Sequence, residues 1–270
     1  MEQILQAAGG SIRREEISDH LIRFSEMGTY LPGHPLSPMV DSWLYLGSER
    51  AVLIDCLQSV QGFLPIVRGE TDLPLSVLLT HGHPDHAGRS TQEFLDAGIP
   101  VFLEPRDFGI LERGIDREKI LPIREGQRFS LGGRTLTAWS CPGHTPGSMI
   151  FADTASGIAF TGDAIGSGTI WLFLPTSLPL GICRESFGKT RDRFAGEHIR
   201  TICPGHFAQA KRPLSQQYLE DLVACTDRVL ARADGPLPVR HMRLWREKLA
   251  FCETSYGEVE RYWFDPARAV

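Results

Sequence analysis

Short apolar runs rich in β-branched residues recur along the first hundred positions. Residues 52–55 (Val-Leu-Ile-Asp), 76–80 (Ser-Val-Leu-Leu-Thr) and 100–103 each stand between breakers, the pattern of a strand buried on both faces. Residues 90–97 place Phe94 and Leu95 among polar neighbours and end at Gly98, and residues 106–113 end at Gly114, so helices are expected between these strands. In the second half the pattern alternates instead. Residues 134–140 put Leu136, Ala138 and Ser140 on one face, and residues 148–152 and 157–161 follow with turn residues between them, which predicts an antiparallel meander. A helix over 185–195 and a strand over 199–203 complete a layered α/β arrangement in which helices cover two sheets.

From residue 215 to 233 the set Leu219, Leu222, Val223, Thr226, Val229 and Leu230 follows helical spacing, and Gly235-Pro236 stops it. Beyond that point Met242, Leu244, Trp245 and Leu249 on a basic background are expected to be helical too. The expected division is therefore a main domain over residues 1–212 and a helical extension over 213–270 packed on it. A chain of 270 residues that is 42% hydrophobic and 23% charged can bury its core without staples. The formal charge of −5 gives no sign of a strongly basic surface, so nucleic acid is not the expected partner. The longest apolar run, residues 170–174, is far short of the about 18 residues that span a bilayer, so no membrane is expected. Glu2 stands where a secretory leader would be basic, and no apolar stretch follows it, so a cytoplasmic location is expected. Six cysteines without a Cys-x-x-Cys pair read as free thiols of a reducing compartment.

The chemistry concentrates directly after the strand that ends at Thr80. There, residues 81–86 read His-Gly-His-Pro-Asp-His, three imidazoles and a carboxylate within six positions. Side chains at i and i+2 of an extended segment point the same way, so His81 and His83 can chelate one cation while Asp85 and His86, in the turn beyond, face a second. Gly82 and Pro84 exclude the helical His-Glu-x-x-His arrangement of zinc proteases. Further candidate ligands follow predicted strands: His144 in Pro-Gly-His-Thr-Pro-Gly, Asp163 in Thr-Gly-Asp, and His206 in Pro-Gly-His. Cys141 and Cys203 each precede one of these histidines by three positions, and each reads as a small apolar residue closing a buried strand.

In the order of these residues the chain resembles the metallo-β-lactamase superfamily, whose pattern His-x-His-x-Asp-His, then His, then Asp, then His runs here across roughly residues 40–210. The strand pair at 41–46 and 51–55 ahead of the motif is similar too. The resemblance implies a four-layer αββα sandwich, here with the C-terminal helical extension. It implies that His81, His83 and His144 bind one metal, that Asp85, His86 and His206 bind another, and that Asp163 bridges the two. It also implies that Asp55 holds a ligand imidazole by a hydrogen bond, although Cys56-Leu57 stands where the family has a small residue and glycine. Two divalent ions are expected, zinc first, with iron and manganese fitting the same donors. The implied chemistry is hydrolysis by a metal-bridging hydroxide, with Asp85 and Asp163 as the catalytic carboxylates.

The superfamily covers several reactions, and this chain narrows them. Lactamases of the family generally lack the bridging aspartate, so cleavage of an ester, thioester or related bond in a small molecule is the expected activity, in the manner of glyoxalase II. A phosphodiesterase or nuclease, a mononuclear iron dioxygenase and a silent binding protein are the alternatives. No tyrosine lies between Tyr45 and Tyr218, which argues against glutathione thioesters and against lactones. Residues 164–183, with Trp171 and Phe173, are expected to cap the metals with an apolar pocket. His34 is a candidate for a flap at the site mouth, and Lys211-Arg212 is read as a solvated pair.

Overall fold

The computed structural model describes residues 2–28, 36–58, 60–210, 213–244 and 247–269. His34, Lys211, Arg212 and Trp245 lie outside the described residues. Strands β1 (Glu2–Ala7), β2 (Gly10–Ser18), β3 (Leu21–Gly28), β4 (Ser37–Leu46), β5 (Ala51–Ile54), β6 (Leu75–Leu78), β7 (Val101–Leu103) and β8 (Leu121–Pro122) form one sheet in sequence order. It is antiparallel through β5 and parallel from β5 to β8. Helices α1 (Phe63–Arg68) and α2 (Ser90–Asp96) make the crossovers. The second sheet has the order β14-β12-β11-β10-β9, from β9 (Arg128–Ser130), β10 (Thr135–Ser140), β11 (Met149–Asp153), β12 (Ile158–Gly162) and β14 (Thr201–Pro204). Strand β13 (Thr169–Leu172) leaves it for a third sheet, ordered β13-β17-β16-β15, with β15 (Arg240–Leu244), β16 (Glu247–Tyr256) and β17 (Val259–Phe264). Helices α3 (Leu180–Gly196) and α4 (Gln216–Leu230) complete the chain.

Strand alternation sorts the buried side chains into three layers. Trp43, Tyr45, Val52 and Ile54 of the first sheet meet Leu136, Ala138, Phe151 and Phe160 of the second. Their neighbours along the same strands, Leu44 and Leu53, face Phe63, Val67 and Phe94 of α1 and α2. Ile150, Ala152 and Ala159 face Phe187 and Phe194 of α3 and Leu219 and Leu222 of α4. This is the four-layer αββα sandwich, with period-two strands at its centre and apolar helix stripes on both outer faces. The two sheets are also tied by polar contacts: Trp43 Nε1 donates to the Pro204 carbonyl at 3.1 Å, and the Tyr45 hydroxyl donates to Asp153 at 2.8 Å.

The expected tail helix is absent. Residues 240–244, 247–256 and 259–264 form β15, β16 and β17, because Met242 and Leu244, and again Leu249 and Phe251, stand two apart and all join one apolar face with Trp171, Phe173 and Trp263. The opposite face, with Tyr262 and Phe264, packs on the α3 and α4 side. Among the described residues of the expected extension α4 is the one α-helix, started by Ser215, whose hydroxyl accepts the Tyr218 amide at 3.1 Å. The helix expected over 106–113 is a single 3-10 turn, Pro105–Asp107. Strands β1 to β3 were not anticipated. In β3, Ile22 and Phe24 point to the helix-covered core while Leu21 points between the sheets.

Phe160 sits between the rings of Trp43 and Tyr45, at centroid distances of 6.2 and 5.4 Å, and has no exposed surface. Phe160→Ala should therefore cost about 3–5 kcal/mol in urea denaturation. Ile182→Ala on the outer face of α3, where the residue is 42% exposed, should stay within about 0.5 kcal/mol of wild type.

Candidate metal centre

Every sequence-predicted ligand leaves a strand at the same edge of the two central sheets. The β6 strand runs through Thr80 into residues 81–86, the β10–β11 connection carries His144, β12 ends at Gly162-Asp163, and β14 ends at Pro204-Gly205-His206. Backbone room is critical at Gly205, where a Cβ would lie 2.3 Å from His86 Cε1 and 2.8 Å from Asp163 Oδ1. Gly162, at φ 47°, lets the chain pass Thr80, whose hydroxyl a Cβ would meet at 2.1 Å.

The structure brings all seven predicted residues together. His83 Nδ1 and His144 Nε2 are 2.9 Å apart, and the His81 ring lies 4.9 Å from that of His83 and 5.0 Å from that of His144. On the other side His86 Nε2 is 3.4 Å from His206 Nε2, and Asp85 Oδ2 is 3.9 Å from the first and 3.5 Å from the second. Asp163 lies between these groups, 3.6 Å from His144 Nε2 by one oxygen, 3.2 Å from His206 Nε2 by that same oxygen, and 3.4 Å from His86 Nε2 by the other. Three sets of donors each lie within 4.8 Å of one another: His81/His83/His144, His81/His86/Asp163 and Asp85/His86/His206. Neither Cys141 nor Cys203 belongs to these sets, and burial pushes the Cys141 thiol up to about 11.

Each imidazole is turned by a hydrogen bond at the nitrogen that faces away from the cluster. His144 Nδ1 donates to the Trp171 carbonyl at 2.9 Å, and His206 Nδ1 donates to the Met39 carbonyl at 2.6 Å. His86 Nδ1 donates to Asp55 at 2.8 Å and His81 Nδ1 to Thr80 Oγ1 at 3.1 Å, while His83 Nε2 lies against Thr176 Oγ1 at 2.9 Å. The inward atoms are therefore Nε2 of His81, His86, His144 and His206 and Nδ1 of His83, each offering a lone pair in the neutral tautomer. Asp55 anchors the arrangement as the sequence resemblance implied. It sits at φ 63°, and besides His86 it takes the Thr80 amide at 2.6 Å and the Thr80 hydroxyl at 2.8 Å.

These atoms fit a cation. His81 Nε2 and Asp163 Oδ1 are buried and without any hydrogen-bond partner, which would be costly in a site built for protein contacts alone. Burial lowers His83 to about 3, reinforced by His144, so the ring is neutral and free to ligate. Burial works against charge on His86 too, yet Asp163, Asp85 and Asp55 push it up to about 10. The same carboxylates that hold protons there would favour metal ions in their place. Burial also opposes charge on Asp85, but His86 and His206 outweigh it and hold the carboxyl well below its usual range.

Residues that the sequence reading missed support these loops. Asp107, with no exposed surface, takes the Gly82 amide at 3.0 Å and the Thr145 hydroxyl at 2.6 Å on one oxygen, and the Gly147 amide at 2.7 Å on the other. One carboxylate thus ties the loop of His81 and His83 to that of His144. Asp41 does the same on the other side, accepting the Phe207 amide at 2.6 Å and the Ser25 hydroxyl at 2.5 Å. A cavity of about 320 Å³ opens above the cluster, walled by Met39, Val40, Trp171, Leu174 and Leu244, with Asp85, Asp163 and His206 among its lining. Trp171 lines it as expected. Phe173 does not, for it is buried behind Trp171 against Phe251, at 5.2 Å between ring centroids.

Comparison with known proteins agrees with this architecture. An acyl-coenzyme A thioesterase of Gallus gallus is 29% identical over 223 residues, 68% of this chain and 79% of that protein. A hydroxyacylglutathione hydrolase of Cereibacter sphaeroides is 32% identical over 137 residues, 48% of this chain and 47% of that protein. Among solved structures, a metallo-beta-lactamase from Erythrobacter litoralis superposes with a TM-score of 0.61 at 17% identity, covering 84% of this chain and all of that one, a likeness of fold. The sequence model of the metallo-beta-lactamase superfamily matches residues 38–206, the span that holds all seven clustered side chains, and the chain belongs to that superfamily.

Proposed function

We propose that the protein is a metal-dependent hydrolase that cleaves an ester or thioester bond in a small-molecule substrate with an apolar acyl part, using two divalent ions, zinc by preference. The observation that carries this reading is the inward turn of five imidazole lone pairs and two aspartates beneath an apolar-walled cavity. His81, His83 and His144 would hold one ion, Asp85, His86 and His206 the other, and Asp163 would bridge. What such ions supply when bound is Lewis-acid activation of water at neutral pH and stabilisation of developing negative charge.

The chain's own groups do the rest. Met39, Val40, Trp171, Leu174 and Leu244 take the acyl part out of water and set its carbonyl over the polar floor. Asp85, whose side chain is 34% exposed toward the cavity, is the ionised carboxylate placed to accept a proton from the attacking water and return it to the leaving sulfur or oxygen. Water adds to the acyl carbon as the bond to that leaving atom breaks. The thioesterase names of relatives favour this reaction class. The six cysteines are buried and unpaired, which supports a reducing, cytoplasmic compartment, and no helix among the described residues is long and apolar enough to cross a membrane.

Protein purified without added metal should carry two transition-metal ions per chain by elemental analysis, and a panel of ester, thioester and phosphodiester substrates should show turnover on the first two. One ion or none in fully loaded protein defeats the dinuclear assignment. Asp163→Ala should lose one ion and at least about a hundredfold in kcat. Retention of both ions and near wild-type turnover would remove the bridging role. Asp85→Ala should lose turnover together with one ion, because Asp85 would both hold that ion and take the water's proton; loss of turnover with metal content unchanged would leave it a base acting on a single-metal water.

Trp171→Ala should raise KM for acyl substrates or change their preferred length while leaving the fold intact. Should the variant lose about 3–5 kcal/mol of stability and keep wild-type kinetics, Trp171 belongs to the core and not to the pocket.

A further inference from the structure

The segment after β13 lines the cavity through Leu174, and it also touches two of the clustered histidines. Thr176 Oγ1 lies 2.9 Å from His83 Nε2, and the Ser177 hydroxyl donates to the His144 carbonyl at 3.3 Å. The Leu178 amide donates to the Gly143 carbonyl at 2.8 Å, which fixes the far end of the segment to the His144 loop. On the side away from the histidines stands Arg268, in the 3-10 turn Pro266–Arg268 that follows β17. Its guanidinium donates to the Leu174 carbonyl at 3.1 Å, to the Pro175 carbonyl at 3.1 Å and to the Ser177 carbonyl. Asp265 takes the remaining charge at 3.3 Å from Arg268 Nε, and its amide binds the Leu172 carbonyl at 3.3 Å, so the arginine is anchored at the end of β13 itself. One planar fork with five donors therefore gathers three carbonyls of the turn that carries Thr176.

His83 is the histidine for which this matters. It alone presents Nδ1 inward, so it needs the proton on Nε2, the opposite tautomer from the other four, and Thr176 is the group on that nitrogen. We propose that Arg268 is a positioning residue of the metal centre: by closing the carbonyls of Leu174, Pro175 and Ser177 it keeps Thr176 on His83 and so fixes the ring's tautomer and direction. The inference rests on the metal-site reading, and it concerns metal affinity and not the reaction catalysed.

The full chain with Arg268→Gln, Thr176→Val and both together tests it, with zinc affinity measured by competition against a chromophoric chelator. Each single variant should weaken the more affected zinc about tenfold or more, on the scale of outer-shell partners of metal ligands. The double variant should lose no more than Thr176→Val alone, because the two residues act through one contact. Thr176→Ser keeps the hydroxyl and should bind zinc like wild type. In metal-free protein, ¹⁵N shifts of His83 should report a single tautomer, turning to a mixture in Arg268→Gln. Losses that multiply in the double variant, or a lowered Tm in Arg268→Gln with affinity and tautomer unchanged, would reduce Arg268 to a structural tie and overturn the proposal. Wild type that binds no zinc would overturn the metal reading, and the tautomer measurement would then decide the role of Arg268 by itself.

Discussion

Five imidazoles crowded into one cluster can all face inward only if something takes the proton on the other side of each ring. That constraint organises much of the molecule. The acceptors are the Met39 and Trp171 carbonyls, the Asp55 carboxylate, and the Thr80 and Thr176 hydroxyls, supplied by the first sheet, the third sheet and the segment between β13 and α3. A neutral imidazole has one donor and one acceptor, so fixing where the donor goes also fixes where the lone pair points. The αββα sandwich places these acceptors by ending its strands at a common edge. Asp107 and Asp41 then pin the loops from behind, each taking a backbone amide and a hydroxyl from segments that are distant in sequence.

The cluster was legible in the sequence because its members are side chains, and side chains are what a sequence states. His81 through His206 appear in family order, and strand-like runs precede each of them. The acceptors are a different matter. The carbonyls of Met39 and Trp171 are backbone atoms present at any residue, and nothing local marks these two for a role. Asp107 stood in a stretch read as helix, where its carboxylate would have been one more exposed acid. Its actual place in a 3-10 turn beside β7 emerges only when β6 and β7 pair and bring their ends together.

The misreading of the tail has a similar cause. Met242, Leu244 and Leu249 fit a sparse helical stripe about as well as two strands, and short segments of that kind are settled by what they pack against. Here β15 and β16 are built onto β17, which itself pairs with β13, some ninety residues earlier, with Trp171 opposite Trp263 and Leu172 opposite Phe264 in parallel register. The apolar face of this sheet continues the wall of the cavity through Trp171 and Leu244. Two acid-lined loops and a hydrophobic wall, built by separate stretches of chain, thus meet over the same few ångströms.

The parallel pairing of β13 with β17 also sets an order of events during synthesis. Residues 169–172 leave the ribosome well before 259–264, and until the later strand arrives the earlier one lacks its partner in the third sheet. A contact of such long range is slow to form and leaves sticky surface open while it waits. The Trp171 carbonyl that orients His144 belongs to that waiting strand. The third sheet is thus closed only after residues 259–264 have been made, and until then Trp171 lacks the strand that backs it beside His144.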